Sequence, residues 1–184
     1  MNEPITDDVH GSIIHLFKLR LPWLILGLVG GAMVSVLVSR FEQILARNIS
    51  LAFFLPVVVY LSDAVGTQTE ALYIRTLSKG HVKFLQHLFK EIFVGLILGL
   101  TLGPLIGLVA WTWLGNLGVA LAVGFATIVN LTVAPILAIF TSQIIYKEHA
   151  DPALGAGPMA TIIQDAFSLV IYFLTASLIL GNFS

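Results

Sequence analysis

Chemistry in this chain is concentrated in a few acidic residues set among apolar ones. Asp165 stands in the first half of Met159–Leu180, MATIIQDAFSLVIYFLTASLIL, a run about the length that crosses a bilayer core of ~30 Å. An aspartate at that depth costs at least ~2.5 kcal/mol on insertion scales, so it faces protein or water and marks an ion or proton path. Helical spacing puts Thr161, Asp165, Ser168 and Tyr172 on one face, a polar stripe on an apolar rod. The competing reading is a buried aspartate that bonds a neighbouring helix. A second stripe follows the apolar stretch Ile49–Leu61, which is too short to span a bilayer by itself. The helix reaches full length only by continuing through SDAVGTQTEALYIRTL, where Asp63, Thr67 and Glu70 fall at i, i+4 and i+7. Such a face is untenable on lipid and reasonable beside a hydrated pathway. The alternative ends the helix near Ser62 and makes the rest a cytoplasmic loop, but the flanking apolar residues keep a helical rhythm.

Asp165, Asp63, Thr67 and Thr161 offer only oxygen, and no His or Cys lies deep in a span. Zinc and copper favour nitrogen and sulfur, whereas Mg²⁺ is hard, takes oxygen in octahedral geometry and surrenders water reluctantly. The oxygen set does not separate Mg²⁺ from Mn²⁺, Ca²⁺ or Co²⁺. One chain supplies one Asp165. Two chains about a two-fold axis would bring two together, and these would repel unless a cation lay between them. Asp63 is expected to recruit the ion, or to bind a coupling proton or sodium ion. Glu70 is expected nearer the surface, solvated or paired with Arg75.

The elements that must hold these groups follow from composition. Of 184 residues, 58% are hydrophobic and 10% charged, which marks an integral membrane protein. The formal charge of −1 gives nucleic acid no electrostatic handle, and the absence of cysteine excludes disulfides and thiolate metal sites. The acidic, polar N-terminus is unlike a cleaved signal peptide, so the first span should be retained. The expected fold is all-α, with five transmembrane helices in residues 21–184 after an N-terminal cytoplasmic or interfacial segment, residues 1–20. Within that segment SIIHLFKLR either lies as an interfacial helix or forms the basic flank of span one.

Span one, about Leu21–Val38, has Pro22 in its first turn, where a missing N–H is harmless, and Gly27 and Gly31 at GxxxG spacing. SRFEQILARN is a loop or short interfacial turn, and KGHVKFLQHLFKE is read as a surface segment. Span three, about Ile92–Trp113, carries Gly95, Gly99, Gly103 and Gly107 at every fourth position, a surface suited to backbone-to-backbone approach; Pro104 should kink it. A turn at Gly115 and Asn116 leads to span four, about Leu117–Phe140, where Asn130 is expected to bond across helices. Five spans put the termini on opposite sides. With the N-terminus inside, Lys18, Arg20, Arg75, Lys79, Lys83, Lys90 and Lys147 are cytoplasmic and only Arg40 and Arg47 are outside. That asymmetry predicts a multi-pass protein of the cell (plasma or inner) membrane with its C-terminus outside.

LPVVVYLSDAVGTQTEALYIRTLSKG resembles the second-helix signature of the MgtE family of magnesium transporters, usually Gly-Gly-Asn-Ala-Gly-Thr-Gln. DPALGAGPMATIIQDAFSLVIYF is similar to the family's last-helix signature, and LRLPWLILGL to its first-helix entry. The resemblance runs from about Leu19 to Leu180 and implies a five-helix membrane domain that forms a homodimer with a magnesium pathway along the dimer axis. Under it, Asp165 falls on the family's pore aspartate and Asp151 on the acidic residue at the cytoplasmic mouth. Ser62, Asp63 and Ala64 stand where the family usually has Gly-Gly-Asn, adding an acid and losing an amide. The family's soluble N-domain and paired CBS domains are expected to be absent, which would leave gating to the basic segment between spans two and three or to a separate regulatory protein. Compact relatives include animal solute carriers proposed to exchange sodium for magnesium, so a channel and a Na⁺- or H⁺-coupled exchanger both stand. A non-transporting membrane assembly subunit is the other class to weigh. An intramembrane enzyme is disfavoured, because no nucleophile–base pair accompanies the two aspartates.

Overall fold

The computed structural model describes residues 12–77, 83–147 and 157–181, and these are helical almost throughout. Six helices follow in order: α1 (Ile13–Ser39), α2 (Glu42–Arg47), α3 (Leu51–Leu77), α4 (Phe84–Leu114), α5 (Leu117–Lys147) and α6 (Gly157–Gly181). All but α2 are long and apolar enough to cross a membrane. The chain is thus an all-α membrane protein of five spans, with α2 as the short connection between the first two.

Of the two readings of Ser12–Arg20, the continuous one is observed. Ser12 caps α1, its Oγ accepting the N–H of His15 at 3.3 Å, and the helix runs on from there. Pro22 therefore sits inside α1 rather than in its first turn. α3 runs unbroken past Ser62 to Leu77, so the acidic stretch belongs to the span and not to a loop. α4 ends where Gly115 adopts a left-handed φ of 64°, a conformation that costs a residue without Cβ little. Asn116 then accepts the N–H of Val119 on its side-chain oxygen at 3.1 Å, starting α5.

KGHVKFLQHLFKE is not wholly a surface segment. α4 begins at Phe84, eight residues before the expected start, and Glu91 is only 7% exposed. One Glu91 carboxylate oxygen accepts the hydroxyl of Thr69 at 3.1 Å. His87 lies against the ring of Tyr73, whose hydroxyl bonds Gln143. The physical reason is helical phase: Leu88, Glu91 and Gly95 share the face that packs inward, while Lys83 and Lys90 turn out.

α5 is the central helix, flanked by α4, α3 and α6. Its inner positions are small, with Ala122, Ala126, Ala134 and Ala138 all buried. The α4 glycines meet it as their spacing predicts. A Cβ on Gly99 would stand 2.9 Å from the carbonyl oxygen of Ile128, and one on Gly103 would stand 2.7 Å from that of Gly124. Aliphatic and aromatic residues such as Leu28, Phe93, Ile97 and Trp113 are exposed, as expected of a surface solvated by hydrocarbon.

Candidate functional site

A buried polar seam joins α3, α5 and α6 and positions the site residues beside it. Ser168 Oγ donates to Ser62 Oγ at 2.8 Å, and Gln164 Nε2 donates to the same Ser62 hydroxyl at 3.0 Å. Asn130 Nδ2 donates to the Ser168 carbonyl at 3.3 Å, the interhelical bond expected of it. Further along, the Tyr172 hydroxyl donates to the Leu51 carbonyl at 2.7 Å. Gly66 lets Gln164 lie over α3, since a Cβ there would approach Gln164 Oε1 to 3.0 Å. In a membrane these bonds lock the rotation of α6 on α3, because a polar group turned into lipid would have no partner.

That rotation sends the neighbours of the seam residues the other way. Asp165, next to Gln164, is half-buried and lines an open cleft of about 540 Å³ with Thr161, Ile162 and Leu169 of α6. Leu24, Gly27, Gly31 and Val34 of α1 form the opposite wall, with Val59 of α3 between. The Asp165 carboxylate makes no hydrogen bond or ion pair with any described residue. Among the described residues, none ties Asp165 to a neighbouring helix by a hydrogen bond. The predicted polar stripe of α6 is split: Thr161 and Asp165 face the cleft, whereas Ser168 and Tyr172 are sealed in the core.

Asp63, next to Ser62, is half-buried and does not line the 540 Å³ cleft, although Val59, one turn before it on α3, does. It is nonetheless within electrostatic reach of Asp165 on α6 and of Glu70 on its own helix. Thr67 is exposed on α3, and Glu70 is half-buried without an ion pair to Arg75. Among the described residues, no three acidic or histidine side chains gather closely enough to hold a metal ion. Asp151 lies outside the described residues.

The GxxxG pair of α1 does not make the predicted close helix contact. A Cβ on Gly27 or Gly31 would meet nothing within 4 Å, whereas one on Gly30 would come within 2.7 Å of Ile162 on α6. The contact is one position out of phase with the motif, and the motif glycines instead leave the wall of the cleft smooth. The inward-facing Gln164, His87 and Glu91 were not singled out by sequence reasoning. For Gln164 the signal was its polarity within an apolar run, flanked by Asp165 and Ser168.

The architecture is that of a multi-span membrane protein whose unbonded carboxylate faces a cleft between helices. Residues 55–175 match the family model MgtE, described as divalent cation transporter. The chain is 34% identical to the magnesium transporter MgtE of Bacillus subtilis over 84% of its own length and 35% of that protein's. It is 31% identical to the magnesium transporter MgtE of Enterococcus faecalis, over 96% of this chain and 40% of the relative. The magnesium transporter MgtE of Thermus thermophilus is 29% identical over 91% of this chain and 38% of its own. The chain belongs to the MgtE family, and it spans between 35% and 40% of the length of these relatives.

Proposed function

We propose that this protein carries divalent cations, Mg²⁺ foremost, across the cell membrane, along a carboxylate-lined path completed where two copies of the chain meet. The observation that carries the reading is the Asp165 carboxylate, half-buried at membrane depth, bonded to no described residue and lining a cleft with Thr161. Mg²⁺ moves most easily with its water retained. Six waters at ~30 Å³ each need roughly 200 Å³, which the 540 Å³ cleft accommodates. Asp165 would hold the hydrated ion through its water shell, with Thr161 adding a hydroxyl. Asp63 and Thr67 would draw cations toward it, and Asp151 would serve the cytoplasmic mouth. A single chain provides too few charged ligands for a dehydrated cage, and a two-fold copy would double the carboxylates around one ion. The family match and the likeness to magnesium transporters support the choice of cargo. The excess of cations on the N-terminal side supports an orientation with the N-terminus in the cytoplasm.

The test is Mg²⁺ flux into proteoliposomes containing the purified chain. Because the Asp165 carboxylate bonds to no described residue, Asp165→Asn should fold as the wild type does and reduce flux to the background of empty vesicles. Flux by this variant at the wild-type rate would remove Asp165 from the path. Crosslinking in the same vesicles reports the pairing, and a monomer that conducts at full rate would exclude the shared path.

Asp63 favours one second reading, a Na⁺- or H⁺-coupled exchanger. It is an acid within the field of Asp165, so loading Asp63 with a proton or sodium would weaken the hold of Asp165 on its cation. Wild-type flux that ignores imposed sodium and proton gradients, and persists in Asp63→Ala, would exclude coupling. Control of the path by a separate regulatory protein belongs to the same proposal and is tested by whether the purified chain alone conducts constitutively.

A further inference from the structure

Arg40 and Arg47 stand between α1 and α3, at the opposite end of these helices from Lys18, Arg20 and Arg75. The topological preference for cations on one face gives no reason for this pair. The structure brings both arginines to a single cleft of about 280 Å³, between α2 and the C-terminal end of α6. Gln43, Asn48 and Ser177 add polar groups to its lining, and Leu180 adds an apolar one. Neither guanidinium makes an ion pair or hydrogen bond with a described residue, and Glu42, the acid nearest in sequence, does not line the cleft. The carbonyl end of α6 borders it and carries roughly half a negative charge, too little to balance two guanidiniums.

We propose that this cleft binds the headgroup phosphate of an anionic phospholipid in the leaflet on the C-terminal side of the membrane. The planar guanidinium fork matches phosphate oxygens in pairs. Gln43, Asn48 and Ser177 can bond the remaining headgroup oxygens. The cleft opens at the bundle end, where α1 and α6 terminate, the level at which lipid headgroups lie. An apolar wall beside the arginines suits the first carbons of an acyl chain and gives a free anion nothing. The bland alternative, two solvated arginines, predicts no preference among ligands.

The experiment titrates the purified full chain, in a neutral detergent, with dioctanoyl phosphatidylglycerol, dioctanoyl phosphatidylcholine or inorganic phosphate. The readout is the ligand-dependent rise in unfolding temperature. Phosphatidylglycerol should give a saturable rise, with affinity roughly tenfold or more weaker in Arg40→Gln/Arg47→Gln. Arg40→Lys/Arg47→Lys, which keeps the charge and loses the fork, should fall between the two and serves if the glutamine variant does not fold. Unchanged affinity in both variants overturns the site. Equal binding of phosphatidylcholine overturns the requirement for an anion, and inorganic phosphate saturating at the same concentration shows a free-anion site and overturns the lipid.

Discussion

Glycines recur at four-residue spacing in two helices of this protein and end in opposite circumstances. On α4, Gly95, Gly99, Gly103 and Gly107 are buried against the backbone of α5. On α1, Gly27 and Gly31 meet nothing within 4 Å and wall the cleft in front of Asp165. A missing side chain is only an absence. A partner helix with small residues of its own, such as Gly124 and Ala120, turns it into close contact; a partner held back by Ile162 against Gly30 turns it into space. One region therefore uses its glycines for close backbone contact, and the other leaves open space in front of Asp165.

The sharpest way to break this contrast is to fill the tight side. Gly103→Val places methyls against Ile128 and the Gly124 carbonyl and should destabilise by about 3 kcal/mol, read as a large fall in unfolding temperature in detergent. A melting temperature near that of the wild type would mean that α4 and α5 can separate at little cost. Filling the open side should do the reverse. Gly31→Leu is expected to leave unfolding nearly unchanged while lowering Mg²⁺ flux several-fold, and undiminished flux would remove the α1 wall from the path. Tyr172→Phe tests the seam between the two regions. It loses one buried hydrogen bond to Leu51, worth about 1 kcal/mol, and should leave ion selectivity alone. The smallest effect is expected from Gly27→Ala, within about 0.5 kcal/mol of wild type and on the stabilising side; the same substitution at Gly99 should destabilise.

Some of this was legible in residue order and some was not. Five spans follow from apolar runs, because hydrocarbon leaves a helix no other way to satisfy its backbone. The continuation of α3 through Asp63, Thr67 and Glu70 was legible for a related reason: the apolar stretch Ile49–Leu61 is too short to reach across. Asp165 was conspicuous as an acid in a span. The inward turn of His87 and Glu91 was obscured by the lysines around them, since charge density along a chain says nothing about which face each residue takes. Only phase does, and the phase of Leu88, Glu91 and Gly95 agrees with the burial found.

By itself, then, the sequence determined the number of membrane-spanning helices, the membrane as solvent, and which side chains carry oxygen at depth, because length and polarity act locally. The tertiary structure decided which of these oxygens are used up. Ser62, Gln164 and Ser168 satisfy one another while Asp165, one residue along from Gln164, bonds to no described residue. That division depends on the rotation of α6 against α3, which is set by packing between segments about a hundred residues apart and has no local signature.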